Sequence, residues 1–147
     1  MILTDQSVGE KVSNFRFSPG DLVVGDRAYC SEKSIRQFHE QRADWVLRFK
    51  QNSLTLYEPD PGNHEFDLFG FLSPLEEGRP AQRLLVTGSP EAIPVRFMAI
   101  AKNEQAAEKA RKAYIYNQRR KQKTIYEDTL KLQNYILVVS NLTEPDI

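Results

Sequence analysis

Asp26 is the residue whose setting holds the most chemistry. It follows "LVVG" (22–25), a short run of apolar and small residues, and precedes Arg27, Ala28 and Tyr29. A carboxylate at the end of a buried strand has two uses. It can cap or turn the chain, as Asp does where strands finish. It can also present hard oxygens to Mg²⁺, which takes one or two protein carboxylates together with substrate phosphate. Two-metal sites use such carboxylates to clamp the attacking and leaving oxygens of phosphoryl transfer. Position alone leaves both readings open. Arg48 and Lys50 lie in "DWVLRFK" (44–50), two apart and therefore on one face of an extended segment. That face is either solvated or directed at a phosphate backbone beside Asp26. A third cluster, Arg111, Lys112, Arg119 and Arg120, belongs to "NEQAAEKARKAYIYNQRRKQK" (103–123). Total charge says nothing about partners, because 20 bases balance 20 acids. Distribution says more: eight bases stand against two acids in 102–123, and seven acids against two bases in 57–91. A basic face in a neutral chain is either a solvated helix surface or a footprint for nucleic acid.

Other chemistries find little support. His39 and His64 are far apart and lack metal-ligand spacing, which argues against zinc. The lone cysteine, Cys30, excludes an internal disulfide framework and suits a reducing cytoplasm. No histidine is in its local reach, so it reads as a small semi-buried residue. There is no phosphate-cradling glycine loop, nucleophile elbow or zinc signature. No apolar run approaches the ~18–20 residues of a membrane span. The start, "MILTD", has no basic segment or long apolar core, so no signal peptide is expected.

The elements that must position these residues follow from local pattern. Ser18-Pro19-Gly20-Asp21 predicts a turn. "LVVG" then predicts a short buried strand. Ser31 is a natural cap for a helix to about Arg42, with Glu32 in its first turn and Ile35 and Phe38 inward. "DWVLRFK" alternates, placing Trp45, Leu47 and Phe49 in the core and Val46, Arg48 and Lys50 on the other face. Strand, helix and strand at this spacing predict a right-handed parallel unit. A carboxylate at the C-terminal end of such a strand is well placed for a site. Residues 51–100 are punctuated by Pro and Gly. Their apolar pieces "LTLY", "FDLFGFL", "RLLVT" and "VRFMAIA" predict short antiparallel strands. Residues 103–123 predict a helix capped by Asn103, with Ala106, Ala110, Ala113 and Ile115 inward. "NYILVVSNL" (134–142) predicts another buried strand. No repeat, low-complexity stretch or linker interrupts the 147 residues, which is one domain's worth of chain. The fold class expected is α/β for 1–50 and α+β for 51–142.

"LTDQSVGEKVSNFRFSPGDLVVGDRAYCSEKSI" resembles the segment around the second catalytic aspartate of DDE transposases of bacterial insertion sequences, in the group named after insertion sequence four. In that family a Thr-Asp…Glu stretch leads to "pGDlvigDrgY", and the Asp before Arg is a metal ligand. Asp26 stands at that position, followed by Arg27 and Tyr29. The family's next strand reads like "dfvlRfKqn", similar to "DWVLRFKQNSL" with Arg48 and Lys50. Its long β-rich insertion ends in an Arg/Lys-rich helix and a strand such as "llvTNl". These resemble 103–123 and "YILVVSNLTEPD". The likeness runs along nearly the whole chain, and the order and spacing of the motifs are more specific than any one of them.

The resemblance implies a partial RNase H-like core (1–50) with a β-rich insertion (51–142). It implies Mg²⁺ at Asp26 and DNA phosphates against Arg27, Arg48, Lys50, Arg111, Lys112, Arg119 and Arg120. The family reaction is phosphodiester hydrolysis to a 3′-hydroxyl, then attack of that hydroxyl on target DNA. The family pattern needs three acids. The first belongs upstream of this stretch, and Asp5 is not it. The third is a Glu in a Tyr-x2-Arg-x3-Glu-x6-Lys signature beyond the "TNL" strand, and Glu144 lacks the Tyr and Arg at that spacing. These 147 residues are thus expected to be a truncated piece holding one catalytic carboxylate of three and inactive alone. Two other readings stay open: a non-catalytic DNA-binding or regulatory derivative, acting as a homodimer or with a full-length transposase, and a decayed remnant.

Overall fold

Gly20 sets the entry to the first long element. Its φ of +87° is a conformation that side-chain-bearing residues adopt at a cost of about 1–2 kcal/mol. With Pro19 before it, the turn closes through Asp21 N–H donating to Ser18 O at 3.0 Å and Ser18 N–H donating to the Asp21 carboxylate at 2.8 Å. In this computed structural model residues 2–3, 16–62, 64–88 and 92–142 are described. Asp5 and Glu144 lie outside them.

The elements are β1 (Ile2–Leu3), β2 (Leu22–Gly25), a 3-10 turn (Arg27–Tyr29), α1 (Glu32–Glu40), β3 (Asp44–Arg48), α2 (Leu68–Leu72), β4 (Ala81–Val86), β5 (Pro94–Ala101), α3 (Glu104–Arg120), α4 (Glu127–Leu132) and β6 (Tyr135–Ser140). The six strands form one sheet in the order β1-β2-β3-β6-β5-β4. β1 with β2 and β2 with β3 are parallel, and β3 with β6 is antiparallel. This is a mixed α/β architecture. The chain divides into two compact units. One holds Met1–Asp67, Gln82–Met98 and Val138–Ile147; the other holds Leu68–Ala81 and Ala99–Leu137.

In the first unit, strand–helix–strand forms as the sequence predicts. Ser31 caps α1, its Oγ accepting from Ser34 N–H at 3.1 Å. Ile35 and Phe38 are fully buried, as are Trp45 and Leu47 of β3. Phe17 and Phe38 meet edge to face with centroids 5.4 Å apart, and Phe49 does the same with Phe97 at 5.2 Å.

In the second unit, Asn103 caps α3 through Oδ1, which accepts from Ala106 N–H at 2.8 Å. The inward face differs from the one expected. Ala107 is buried and Ala110 and Ile115 are half-buried, while Ala106 and Ala113 are exposed. Apolar spacing alone left that phase loose, because alanines stand on several sides of the helix. Two strand expectations also fail. "FDLFGFL" contains the short helix α2, since Leu68 and Leu72, four apart, bury one helical stripe. "LTLY" forms no strand; Tyr57 makes only isolated bridges to Glu65 and Val86. Leu54 and Leu56 are buried in an irregular segment that period-two alternation cannot distinguish from a strand.

Candidate functional site

β2 and β3 run parallel, and their last paired residues are Gly25 and Leu47. Asp26 and Arg48 are therefore the next residues of each strand, both at the carboxyl end of the parallel pair. That is where open α/β sheets bind ligands. Asp26 is half-buried and also caps the 3-10 turn, its Oδ1 accepting from Ala28 N–H at 2.8 Å. Its other oxygen, Oδ2, accepts no hydrogen bond among the described residues. The capping role and a ligand role thus use different oxygens of one carboxylate.

The 3-10 turn holds this end of the sheet in place. Tyr29 is buried, and its N–H donates to Asp26 O at 3.2 Å. Beyond β3, Lys50 N–H donates to Cys30 Sγ at 3.4 Å, tying the strand's exit to the turn's exit. The structure thus brings Asp26, Arg27, Arg48 and Lys50 to one place, with the three cations exposed. Partial desolvation lowers the pKa of Arg48, and the Arg27 cation beside it lowers it further. Arg27 and Arg48 make no ion pair among the described residues. Two mutually repelling guanidiniums kept unneutralised are a ready acceptor for an anion, and planar guanidinium suits phosphate oxygens.

Cys30 lies under this cluster with 1% exposure. Burial pushes its thiol pKa from 9.0 up to about 11, against the Lys50 N–H bond and the Lys50 charge, which pull it down. The folded state therefore favours the neutral thiol. The stability this provides is complete below pH 9 and is lost as pH rises towards 11. The rise from 9.0 to about 11 corresponds to about 2–3 kcal/mol at most. Denaturant melts of the protein and of Cys30→Ala should converge across that window. A constant difference between them would contradict it.

Arg111, Lys112, Arg119 and Arg120 belong to the second unit. Arg111 points inward and is engaged, donating to the Asn134 side-chain carbonyl and pairing with Glu104 at 2.7 Å. Lys112 pairs with Glu108 at 2.9 Å on the exposed surface, and its hydrogen bond holds the Glu108 carboxyl below the usual range. Arg119 and Arg120 are exposed and make no ion pair among the described residues.

Sequence reasoning did not foresee the role of Asn141. Its Oδ1 accepts from Trp45 N–H at 2.8 Å, and its Nδ2 donates to Ala43 O at 3.4 Å and to Asp44 Oδ1 at 3.3 Å. Ser140 Oγ donates to Trp45 O at 2.8 Å. These contacts staple the start of β3 to the end of β6. The only sequence signal is a pair of polar residues ending an apolar strand.

No group of three or more His, Cys, Asp or Glu side chains is placed to hold a metal among the described residues. Asp26 fits a metal as one hard oxygen ligand and no more. No helix of the described residues is long and apolar enough to cross a membrane.

Residues 8–144 match the family model for the transposase DDE domain, and the chain belongs to that family. It is 22% identical over 98% of its length to the InsL protein of insertion sequence element IS186A of Escherichia coli K12. It is equally similar to the transposase for insertion sequence element IS421 of Escherichia coli. The chain spans about 40% of the length of these curated relatives. No solved structure matches it.

Proposed function

We propose that this chain carries one metal-binding carboxylate of a DDE transposase site, Asp26, together with the cations that seat DNA phosphate beside it. The observation that carries this reading is the meeting of Asp26 with Arg27, Arg48 and Lys50 at the carboxyl end of a parallel strand pair. The strand–helix–strand of the first unit is the part of an RNase H-like core that presents them. Residues 51–142 are the insertion.

Asp26 Oδ2 would ligate Mg²⁺, and the metal when bound supplies Lewis-acid stabilisation of phosphodiester oxygens. Arg27, Arg48 and Lys50 neutralise and orient the phosphate. The same three cations disfavour a metal at Asp26 until phosphate offsets their charge, so metal and DNA should bind cooperatively. One carboxylate cannot fix two divalent ions against their hydration shells. A working two-metal site needs further carboxylates beside Asp26. These 147 residues are expected to bind DNA without cutting it; Mg²⁺-dependent nicking abolished by Asp26→Ala would overturn that.

The test is fluorescence anisotropy with a short duplex over a salt series. Arg48→Gln with Lys50→Gln should flatten the log–log salt slope by about 1.8, at about 0.9 per phosphate contact. Mn²⁺ titration followed by electron paramagnetic resonance should show binding above that of DNA alone, and Asp26→Asn should abolish the excess. An unchanged slope together with no Asp26-dependent Mn²⁺ would refute the reading.

A further inference from the structure

We infer that the outward face of α3 is a binding stripe for single-stranded DNA, with Tyr116 as its base-stacking residue. This deepens the DNA-binding reading and rests on it, but it uses a surface of the second unit that includes none of the residues around Asp26.

The inward side of α3 is taken up by Ala107, Arg111, Tyr114 and Gln118. Arg111 holds Asn134 and Glu104. Tyr114 Oη accepts from Tyr126 N–H at 3.0 Å, and Gln118 donates to Thr124 O at 2.7 Å. The segment after the helix is thereby folded back along the inward side. At 100° per residue, Lys109, Lys112, Tyr116, Arg119 and Arg120 share the opposite side, and all five are exposed. The distance from Lys109 to Arg120 is about 16 Å at 1.5 Å per residue.

Tyr116 is 67% exposed in the middle of this row. A large aromatic ring has no reason of packing to stand there. Lys109, Arg119 and Arg120 make no ion pair among the described residues. Lys112 has Glu108, in an exposed pair of the kind worth about 0–1 kcal/mol, which a phosphate can displace. Part of the basic bias towards the end of α3 is what the helix dipole favours. The dipole explains neither Lys109 in the first half nor the ring between the cations. Cations that track a backbone around an exposed aromatic are the two parts of a single-strand platform. In a duplex the base faces are already stacked on one another, so the ring would gain little there.

The test uses the full chain and a fluorescein-labelled mixed-sequence single strand, with a duplex of equal length alongside. Tyr116→Ala should weaken single-strand binding roughly five- to hundredfold, with the salt slope unchanged and Tyr116→Trp restoring affinity. Its effect on the duplex should stay below about threefold, the ring having little to stack on there. Arg119→Gln with Arg120→Gln should flatten the single-strand slope by about 1.4, at about 0.7 per contact. These side chains are exposed, so circular dichroism should be unchanged and a folding defect is separable. Equal loss on duplex and single strand, no effect of Tyr116→Ala, or no single-strand binding at low salt would each overturn the stripe. The Asp26 reading is decided separately by the Arg48/Lys50 slope and the Mn²⁺ signal, neither of which involves α3.

Discussion

Trp45→Ala should destabilise the first unit by about 3–5 kcal/mol, a large share of the about 5–15 kcal/mol that holds an ordinary domain folded. Trp45 is fully buried in β3 and lies against Phe38, with ring centroids 6.4 Å apart. Phe38 in turn packs on Phe17. The single indole thus joins α1, β3 and the segment before β2 into one core. Alanine would remove that volume from a position that close packing prevents from collapsing. Trp45→Phe should behave differently. The indole Nε1–H is buried and has no hydrogen-bond partner among the described residues. An unsatisfied buried donor costs about 1–3 kcal/mol, which phenylalanine relieves while leaving a smaller cavity. The two terms oppose, so Trp45→Phe should stay within about 1.5 kcal/mol of the parent. Urea melts followed by circular dichroism compare all three forms. A loss for Trp45→Phe well beyond about 1.5 kcal/mol would show that relief of the indole donor does not offset the cavity.

That Trp45 is core is legible in the sequence, and the reason is period. Trp45, Leu47 and Phe49 alternate with Val46, Arg48 and Lys50, and only a strand with one buried face keeps that order. The same logic placed β2 and α1, where a turn, an apolar run and a serine cap agree with each other. It failed in 54–72, where "LTLY" and "FDLFGFL" are short, apolar and bounded by Pro and Gly. In such pieces tertiary contacts choose the backbone, and helix and strand have similar local merit. The site was legible in part. Asp26, Arg48 and Lys50 are brought together because both strand ends were recognisable and a parallel pair aligns them. Arg111 looked like its neighbours in α3 and turned out to be an internal ligand of Asn134 and Glu104. A charge count cannot tell which side of a helix a residue occupies when the apolar stripe is made of alanines.

The interaction least visible in the sequence should have the second largest effect. Asn141→Ala is expected to cost about 2–4 kcal/mol, because it strands two backbone groups at the buried start of β3. Trp45 N–H loses its acceptor and Ala43 O loses its donor, at a fully buried residue and its near neighbour. Asn141→Asp is a sharper probe. It keeps an acceptor for Trp45 N–H, yet it sets a second carboxylate beside Asp44, whose Oδ1 lies 3.3 Å from the amide nitrogen being replaced. Like charges at that range disfavour ionisation, so Asn141→Asp should be tolerated better at low pH than at neutral pH, opposite to the usual acid loss of stability. Hydrogen exchange gives the local readout. In Asn141→Ala the Trp45 amide should exchange at least tenfold faster, while the Ile35 amide, bonded to Ser31 O within α1, follows only the global change. If the Trp45 amide speeds up no more than the Ile35 amide, the staple is not what holds β3. The consequence for function lies at the other end of the same strand. β3 carries Arg48 and leads to Lys50, and its register against β6 pairs Val46 with Ser140, next to the staple. A strand released at Trp45 is free to slip, and a slip of one residue would turn Arg48 from the face it shares with Asp26 into the core. On the reading proposed above, Asn141 would act on these cations through that register, as a positioning residue.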